Sequence, residues 1–540
     1  MLCGSTKSSQ TSPRAQTTST PLRVRSVRQG APAPNRPSTT APSASRNPDA
    51  ATFAWCPLRP KGGYRSGVNP RPDLSGLIKS YDVRGVWGED LTVEVTRAIG
   101  AAFADTVVIP DGAPTVVIGR DMRDSGPALV EAFTAGLADR GVGAILIGLC
   151  STDGLYHASG ALELPGAMVT ASHNPAKYNG IKLCRSRARA VGEETGLAEV
   201  RSLAAEYLAD GIPVAELRGS VEEREMLAEY GGFLRSLVDL STIRPLKVVV
   251  DAANGMGGYT VPAVLGTGAG LPQLPLEIVP LYFELDGTFP NHEANPLQVE
   301  NLRDLQAAVR AHGADIGLAF DGDADRCFVV DERGEIVKPS TITALVGVRE
   351  AERDRAAGNT PTIIYNVISS RAVPEALAAA GAVASRSRVG HSFIKADMAR
   401  LNAVFGGEHS AHYYFRDFFY ADTGMLAAMH VLAALGGQEA PLSSLLAPYD
   451  PYAASGEINS TVSSAPEALD RVREAFAKAE VEVDELDGLT FSHWDTEPRW
   501  WFNVRRSNTE PLLRLNAEAA DPLVLADLRD RVLAVIREEA

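Results

Sequence analysis

The sequence of 540 residues has no apolar run as long as the roughly 18 to 20 residues that a bilayer crossing takes. This absence excludes a membrane-spanning protein, and we expect no membrane partner. Cysteine is also scarce: the five cysteines are odd in number, widely spaced and without a C-x-x-C pair. The pattern argues against structural disulfides and against a thiolate metal site. It favours a reducing compartment, so we expect a cytoplasmic protein.

The overall composition is that of an ordinary globular protein, with 45% hydrophobic, 22% charged and 6% aromatic residues. It excludes a fibrous or wholly disordered chain. A single hydrophobic core stops growing well below this length, and domains average about 150 residues. The length therefore predicts three or four domains.

Charge is distributed unevenly along the chain. The formal net charge is −15, yet residues 1–72 carry eleven basic side chains and one acidic one. The remaining residues therefore total −25. An acidic body repels nucleic acid and binds an anionic substrate only through locally clustered cations. We expect no nucleic-acid partner for this body.

The N-terminal segment, residues 1–72, is rich in Ser, Thr, Pro and Arg and shows almost no helical or strand periodicity. Such a segment cannot bury enough apolar surface to offset the entropy of ordering, so we predict a disordered extension. A solvated tail, a misassigned start codon, an organelle transit segment and a nucleic-acid-binding tail all fit this composition. We expect the fold to begin near Asp73.

From Thr115 onward, short β-branched runs alternate with Gly-containing turns and helix-period segments. Strands that alternate with helices indicate βα crossovers and sheets that are parallel or mixed. After about residue 450 the pattern changes to a helix, polar strands and a final helix, which indicates a smaller α+β domain. We predict four domains after the extension, at residues 73–230, 231–337, 338–450 and 451–540.

The first candidate site is the T-A-S-H-N-P sequence at residues 170–175, which continues to Lys182. An apolar run precedes it, and the Asn-Pro and Asn-Gly pairs are turn signals, so Ser172 is predicted at the tip of a tight loop. A hydroxyl displayed there can act as a nucleophile or carry a phosphoryl group, with His173 and Lys182 within reach of its charge. A serine in a turn is, by itself, more often only a turn residue.

The second candidate site is D-G-D-A-D-R at residues 321–326, between two apolar runs. Its three carboxylates at alternate positions, Asp321, Asp323 and Asp325, suit Mg²⁺ or Ca²⁺. An EF-hand is excluded, because Arg326 replaces the required glycine and the flanking runs indicate strands. A solvated acidic turn is the alternative, although carboxylates this close repel one another unless a cation neutralises them.

Two further loops carry polar groups suited to a phosphorylated sugar. G-G-E-H-S-A-H at residues 406–412 could exchange hydrogen bonds with sugar hydroxyls or be an ordinary surface loop. R-R-S-N-T-E at residues 505–510 places guanidinium groups beside hydroxyl and amide side chains, as in a phosphate-binding loop or a capped turn. The Gly-rich turn at residues 255–258 lacks the full G-x-G-x-x-G, which argues against dinucleotide binding.

The four loops together are what phosphoryl transfer to and from a phosphorylated polyol requires. At this point the chain resembles the α-D-phosphohexomutase superfamily, with T-A-S-H-N-P, D-G-D-A-D-R, G-E-H-S-A-H and R-x-S-N-T in the family's order over residues 73–540. Within the superfamily it is most similar to the bacterial phosphomannomutases and phosphomannomutase/phosphoglucomutases.

The resemblance implies a heart-shaped α/β protein of four domains, in which three related α/β domains with mixed sheets precede a smaller C-terminal α+β domain. It also implies reversible conversion of mannose 6-phosphate and mannose 1-phosphate, with glucose phosphates as additional substrates. A phosphorylated hexose is the expected partner, and the enzyme is a monomer or homodimer. Phosphoglucomutase, phosphoglucosamine mutase and an inactive sugar-phosphate-binding homologue are the alternatives.

The resemblance further implies a role for each candidate residue. Ser172 is the active-site phosphoserine, and Asp321, Asp323 and Asp325 bind Mg²⁺ together with its phosphate. A hexose 1,6-bisphosphate is the intermediate and activator. Catalytic roles also fall to Arg84, Lys182 and His391. Substrate-binding roles fall to Arg326, Glu408, Ser410, His412, Arg505, Ser507, Asn508 and Thr509, and the serine loop includes His173 and Asn174.

The sequence departs from the family pattern in a turn outside these loops and at one position of the sugar loop. Many bacterial relatives have a lysine in the turn before Arg371, where this chain reads V-I-S-S at residues 367–370. Ala411 stands where glycine is commoner in the sugar loop. These differences leave the reaction class intact but bear on the choice of sugar.

Overall fold

The computed structural model describes residues 71–477, 481–506 and 512–538, all within one compact unit. Ser507, Asn508 and Thr509, predicted to bind phosphate, lie outside the described residues. Within the described part, the chain forms four sheets that follow one another along the sequence.

The first sheet is mixed. Its strands are β1 (Val83–Val86), β2 (Thr115–Arg120), β3 (Gly143–Leu149), β4 (Gly166–Val169), β5 (Tyr178–Arg185), β6 (Arg189–Ala190) and β7 (Val221–Glu223). The helices of this part are α1 (Val93–Phe103), α2 (Gly126–Asp139), α3 (Thr152–Leu162) and α4 (Leu197–Asp210), and the next helix, α5 (Leu227–Leu237), packs into the core of the following sheet. The spatial order is β1-β5-β4-β2-β3-β7, with parallel pairing from β4 through β7 and antiparallel pairing at β5. The inner strands β2 and β4 are largely buried and mostly apolar, as strands covered on both faces require.

The second sheet is also mixed and carries the acidic loop. Its elements are β8 (Leu246–Asp251), α6 (Gly257–Val264), β9 (Leu276–Leu281), α7 (Arg303–His312), β10 (Ile316–Phe320), β11 (Cys327–Asp331) and β12 (Ile336–Val337). The order is β12-β11-β10-β8-β9, in which β9, β8 and β10 run parallel and β11 runs antiparallel to β10. The D-G-D-A-D-R loop is therefore the connection between two antiparallel strands, and the prediction of strands on both sides of it is confirmed.

The third sheet follows the same plan. Its elements are α8 (Pro339–Ala356), β13 (Thr362–Asn366), α9 (Ala372–Ala379), β14 (Val383–Ser387), α10 (His391–Leu401), β15 (Phe405–Gly407), β16 (Tyr413–Phe415), β17 (Ala421–Asp422), α11 (Gly424–Gly436) and α12 (Leu442–Leu446). The order is β14-β13-β15-β16-β17, parallel on the β14 side and antiparallel on the β17 side. The sugar loop connects β15 to β16.

The last sheet is antiparallel throughout its described pairs. Its elements are β18 (Ala453–Thr461), α13 (Ala465–Phe476), β19 (Glu482–Asp484), β20 (Leu489–His493), β21 (Trp500–Arg506), β22 (Leu512–Ala519) and α14 (Pro522–Arg537). The two helices pack on the sheet around Phe476, Phe502 and Val532. The predicted fold class, three mixed-sheet α/β domains and a smaller C-terminal α+β domain, is confirmed.

The apolar cores differ in how far they extend. The second and third sheets share one continuous buried cluster, which contains Val249, Phe405 and Met425. The first sheet and the last sheet have separate clusters of their own. None of the helices described is both long and apolar enough to cross a bilayer.

Candidate active site

Ser172 lies in the short loop that leaves β4. Its φ is +50°, in the left-handed region that residues other than glycine rarely adopt. The side chain is buried, not displayed as the sequence suggested, and only 4% of the residue is exposed. Its Oγ donates to Asp321 Oδ2 at 2.9 Å and lies 3.1 Å from His173 Nδ1. The serine loop of the first sheet therefore lies against the acidic loop of the second.

The close approach of these two loops depends on a glycine. A Cβ added to Gly322 would lie 2.4 Å from the carbonyl oxygen of Ser172, which is closer than any real contact. Gly322 therefore lets the acidic backbone reach the serine loop, and a larger residue there would push the loops apart.

The three aspartates of the acidic loop converge. One carboxylate oxygen of each lies within 4.8 Å of the others. Lys182 Nζ donates to Asp323 Oδ2 at 2.7 Å and to Asp325 Oδ2 at 2.5 Å. The second oxygens, Asp323 Oδ1 and Asp325 Oδ1, are buried and have no hydrogen-bond partner. Because buried carboxylate oxygens are costly to leave unpaired, this arrangement fits a bound divalent cation.

The charges in this cluster are strongly coupled. Burial works against ionisation of Asp323, but the Lys182 ammonium outweighs it and lowers the pKa of Asp323 well below its ordinary value. Burial and the neighbouring Asp323 charge raise the pKa of Asp325. Burial also opposes the charge on Lys182, yet the two carboxylates raise its pKa well above the ordinary value. Lys182 is therefore held as a cation.

The buried Arg326 and the partly buried Arg84 bring positive charge to the serine loop. Arg326 donates through Nε to Asp321 Oδ2 at 2.9 Å and through Nη2 to Ser172 Oγ at 3.3 Å, and it contacts His173. Arg84 donates through Nη1 to Asn174 Oδ1 at 2.8 Å and through Nη2 to Asp82 at 2.6 Å. All of these predicted residues meet around Ser172.

The sugar loop reaches the acidic loop through His412. Its Nε2 lies 3.7 Å from Asp325 Oδ1, and its Nδ1 lies 2.9 Å from Ser410 Oγ and 3.4 Å from Glu408 Oε2. Burial opposes protonation of His412, but Glu408 and Asp325 raise its pKa above the ordinary value. Glu408 is itself buried and accepts from Tyr414 Oη at 2.7 Å.

His391 begins α10 and packs edge-on against Tyr81 of the first domain, with ring centroids 4.8 Å apart. Burial, with the Lys395 charge nearby, lowers the pKa of His391 to about 4. The ring is therefore neutral at pH 7, which contrasts with the cationic Lys182.

The phosphate loop is described only in part. Arg505 lies on β21 rather than in a turn, is 4% exposed, and donates through Nη2 to Glu457 Oε2 at 3.0 Å. Arg514 donates to the other oxygen of the same carboxylate at 2.9 Å. Burial lowers the pKa of His409 in the sugar loop. The negative charge of Glu457 opposes this shift, and the positive charge of Arg505 adds to it. His409 of the sugar loop therefore lies within electrostatic range of Arg505.

Two residues near Ser172 and Asp323 were not among the predicted site residues. Arg123 lies just past β2 and binds the main chain of the serine loop, and Thr152 lies at the start of α3 and binds Asp323. The sequence does offer one signal for them. Arg123 follows β2 and Thr152 follows β3, and these strands run parallel to β4, so both residues lie at the sheet edge where Ser172 lies.

Comparison with known proteins identifies the family. The models of the phosphoglucomutase/phosphomannomutase alpha/beta/alpha domains I, II and III match residues 76–208, 228–334 and 338–452. The model of the phosphoglucomutase/phosphomannomutase C-terminal domain matches residues 457–535. Each of the four matched spans contains one of the four candidate loops.

Individual relatives agree with this result. The phosphomannomutase of Escherichia coli (strain K12) is 36% identical over 467 residues, which cover 86% of this chain and 99% of that protein. The phosphohexose mutases of Xanthomonas campestris pv. campestris (strain B100) are 38% identical over 85% of this chain and 98% of that protein. The crystal structure of a phosphoglucomutase/phosphomannomutase family protein from Burkholderia thailandensis superimposes with a TM-score of 0.75 at 31% identity, covering 86% of this chain and 98% of that one. The resemblance found in the sequence is thus confirmed, and the chain belongs to the phosphoglucomutase/phosphomannomutase family.

Proposed function

We propose that the protein is a phosphomannomutase that interconverts mannose 6-phosphate and mannose 1-phosphate and acts additionally on glucose phosphates. The observation that carries this proposal is the placement of Ser172 Oγ 2.9 Å from Asp321, beside two carboxylates that each have an unpaired buried oxygen. Relatives named phosphomannomutase, at 35–38% identity over most of the chain, support mannose as the sugar.

Ser172 is proposed as the phosphoryl carrier. A phosphoserine carries about −1.5 to −2 charges near neutral pH, so it needs cations close by. Arg326 Nη2 lies 3.3 Å from Ser172 Oγ and supplies one such cation. Asp321, Asp323 and Asp325 would hold Mg²⁺, as the unpaired buried oxygens of Asp323 and Asp325 favour. When bound, Mg²⁺ neutralises charge on the phosphoryl oxygens.

In the proposed reaction, the bond from phosphorus to Ser172 Oγ breaks as the C1 or C6 hydroxyl oxygen of the sugar bonds to the same phosphorus. The product is a hexose 1,6-bisphosphate, which turns end for end and returns its other phosphate to Ser172. In the first transfer the sugar hydroxyl loses a proton and the leaving Ser172 Oγ takes one up, so that the free serine hydroxyl is restored and no net proton is released. Of the two predicted residues, only the neutral ring of His391 can take up a proton, as a weak base with its pKa lowered to about 4, whereas the cationic Lys182 can donate one or bind phosphate.

Substrate binding is assigned to two loops. Glu408, Ser410 and His412 are proposed to read the sugar hydroxyls, since their polar groups lie in one cluster beside Asp325. Arg505, together with Ser507, Asn508 and Thr509, is proposed to hold the phosphate that is not being transferred. A guanidinium with hydroxyl neighbours can serve both orientations of the bisphosphate, because it does not depend on one sugar face.

Two further proposals concern the location and the assembly of the protein. Cys150, Cys184 and Cys327 are buried free thiols, which supports a reducing compartment and hence the cytoplasm. A monomer or homodimer remains our prediction for the assembly.

A panel of three sugar 1-phosphates tests the proposal. Mannose, glucose and glucosamine 1-phosphates are compared with Mg²⁺ and a hexose 1,6-bisphosphate primer. We expect the highest kcat/KM for mannose 1-phosphate, with glucose 1-phosphate second, and Ser172→Ala protein as the control for contaminating host mutase. A clear preference for glucosamine 1-phosphate would overturn the choice of sugar. No turnover on any sugar, with no phosphate on Ser172 by intact mass, would instead favour an inactive binding homologue.

A further inference from the structure

Thr152, the first residue of α3, makes two hydrogen bonds to Asp323 of the acidic loop. Its hydroxyl donates to Asp323 Oδ2 at 2.5 Å, and its main-chain N–H donates to the Asp323 carbonyl at 3.0 Å. Both residues are fully buried. The helix start of the first domain is therefore bound to the main chain and the side chain of a proposed metal ligand in the second domain.

The position of Thr152 is itself fixed by its neighbours in α3. Ser151 caps the helix by accepting from the N–H of Gly154 at 3.1 Å. Asp153 accepts from Tyr230 Oη at 2.8 Å and from Thr423 Oγ1 of the third domain at 2.7 Å. Because these contacts join three parts of the chain, the first turn of α3 cannot shift without breaking them.

The consequence lies in how the Asp323 carboxylate is oriented. Thr152 and Lys182 both donate to Oδ2, whereas Oδ1 is buried and has no partner. With Oδ2 held from two directions, rotation of the carboxylate is restricted, and the unpaired Oδ1 is fixed in direction. Threonine is stiff at χ1, so its hydroxyl is well suited to this task.

We infer that Thr152 is a positioning residue of the metal site, whose hydroxyl holds Asp323 Oδ1 ready for a divalent cation. This inference rests on the proposed function, which places Mg²⁺ at Asp321, Asp323 and Asp325. Partners of metal ligands typically alter metal affinity when they are removed, by roughly 10- to 100-fold. The role is distinct from packing, because valine preserves the shape of threonine and removes only the hydroxyl.

Direct metal binding provides the test. The full-length chain is compared with Thr152→Val, Thr152→Ser and Thr96→Val, with Mn²⁺ uptake followed by electron paramagnetic resonance and Mg²⁺ binding followed by calorimetry. Thr96 is the matched control, because it is fully buried in α1 and its hydroxyl has no hydrogen-bond partner. Asp325→Asn identifies the part of the signal that belongs to this site, and intact mass verifies equal phosphorylation.

We expect Thr152→Val to weaken Mn²⁺ and Mg²⁺ binding about tenfold, with Thr152→Ser and Thr96→Val within about twofold of the unsubstituted protein. The melting temperature measured without metal reports any loss of folding separately. Equal affinity in Thr152→Val, or a serine variant as weak as valine, would overturn the inference and leave the proposed function standing. A chain that binds neither ion at Asp325 would instead overturn the proposed metal site, and this inference with it.

Discussion

Arg123 donates through Nη2 to the main-chain carbonyl of Ser172 at 2.9 Å. The same guanidinium also binds three further carbonyls of the loop, those of Asn174, Pro175 and Tyr178. Its Nε donates to Asp121 at 3.2 Å, so every N–H of the group has an acceptor. A buried cation from the end of β2 thus holds the left-handed turn that carries the proposed phosphoserine.

Arg123→Lys should therefore impair catalysis more than binding. A lysine has a single ammonium and cannot reach four carbonyls and a carboxylate at once. The loop would move relative to Asp321, and we expect kcat to fall about 10- to 100-fold with little change in KM. Steady-state kinetics with mannose 1-phosphate measures the split. The neighbouring variant Arg120→Lys, which loses one hydrogen bond to the Asp121 carbonyl, is the control. An unchanged kcat in Arg123→Lys would contradict the positioning role of Arg123.

Ser172→Ala should abolish turnover while the protein folds normally. The change removes the proposed covalent carrier and very little packing, so we expect activity to fall at least about 10³-fold. Intact mass should show one phosphate on the unsubstituted protein after incubation with hexose 1,6-bisphosphate, and none on the variant. Residual phosphate on the variant would show that another residue is the carrier.

Arg505→Ala should chiefly raise KM. Its guanidinium is buried and bound to Glu457. It is therefore held in place and can donate hydrogen bonds to a phosphate without rearrangement. Loss of a charge-assisted hydrogen bond, about 1.5 to 3 kcal/mol, corresponds to roughly a 10- to 100-fold higher KM. Kinetics on mannose 1-phosphate tests this, with Arg531→Ala, an exposed arginine of α14 outside the candidate loops, as control. A fall in kcat at constant KM would mean that the contact forms only in the transition state.

Asp153→Asn should change how stability depends on pH. Burial raises the pKa of Asp153 from 3.8 to about 6, against the opposing hydrogen bonds from Ser151, Thr423 and Tyr230. The folded protein therefore holds this proton more tightly than the unfolded chain does. The resulting stabilisation is complete below about pH 4 and is lost as the pH rises through about 6.

The variant lacks this titration. The free energy of unfolding of the unsubstituted protein, relative to Asp153→Asn, should fall by about 3 kcal/mol between about pH 4 and pH 7. Urea unfolding across that range measures the difference, with Asp527→Asn on the exposed face of α14 as the control. Parallel stability curves for the protein and its Asp153→Asn variant would show that Asp153 ionises without penalty.

Local signals in the sequence were sufficient for the fold class and for most of the candidate site residues. β-branched runs, turn pairs and the change in pattern near residue 450 depend on neighbours within a few positions, so they predicted strands on both sides of the acidic loop. The same locality identified Ser172, Asp323 and Glu408 as polar groups in loops, whereas Arg505, predicted in a turn, lies on β21. Their family order then predicted the reaction class.

Only the tertiary structure decided which of these side chains meet and which charge each one carries. Arg123 and Thr152 lie far from Ser172 and Asp323 along the chain, and their contacts depend on strand order and on the packing of one domain against another. The burial of Ser172 and the neutral ring of His391 likewise follow from neighbours on other elements. Turn propensity and periodicity act over a few residues, whereas electrostatics and packing act through space, so no local pattern could have fixed them.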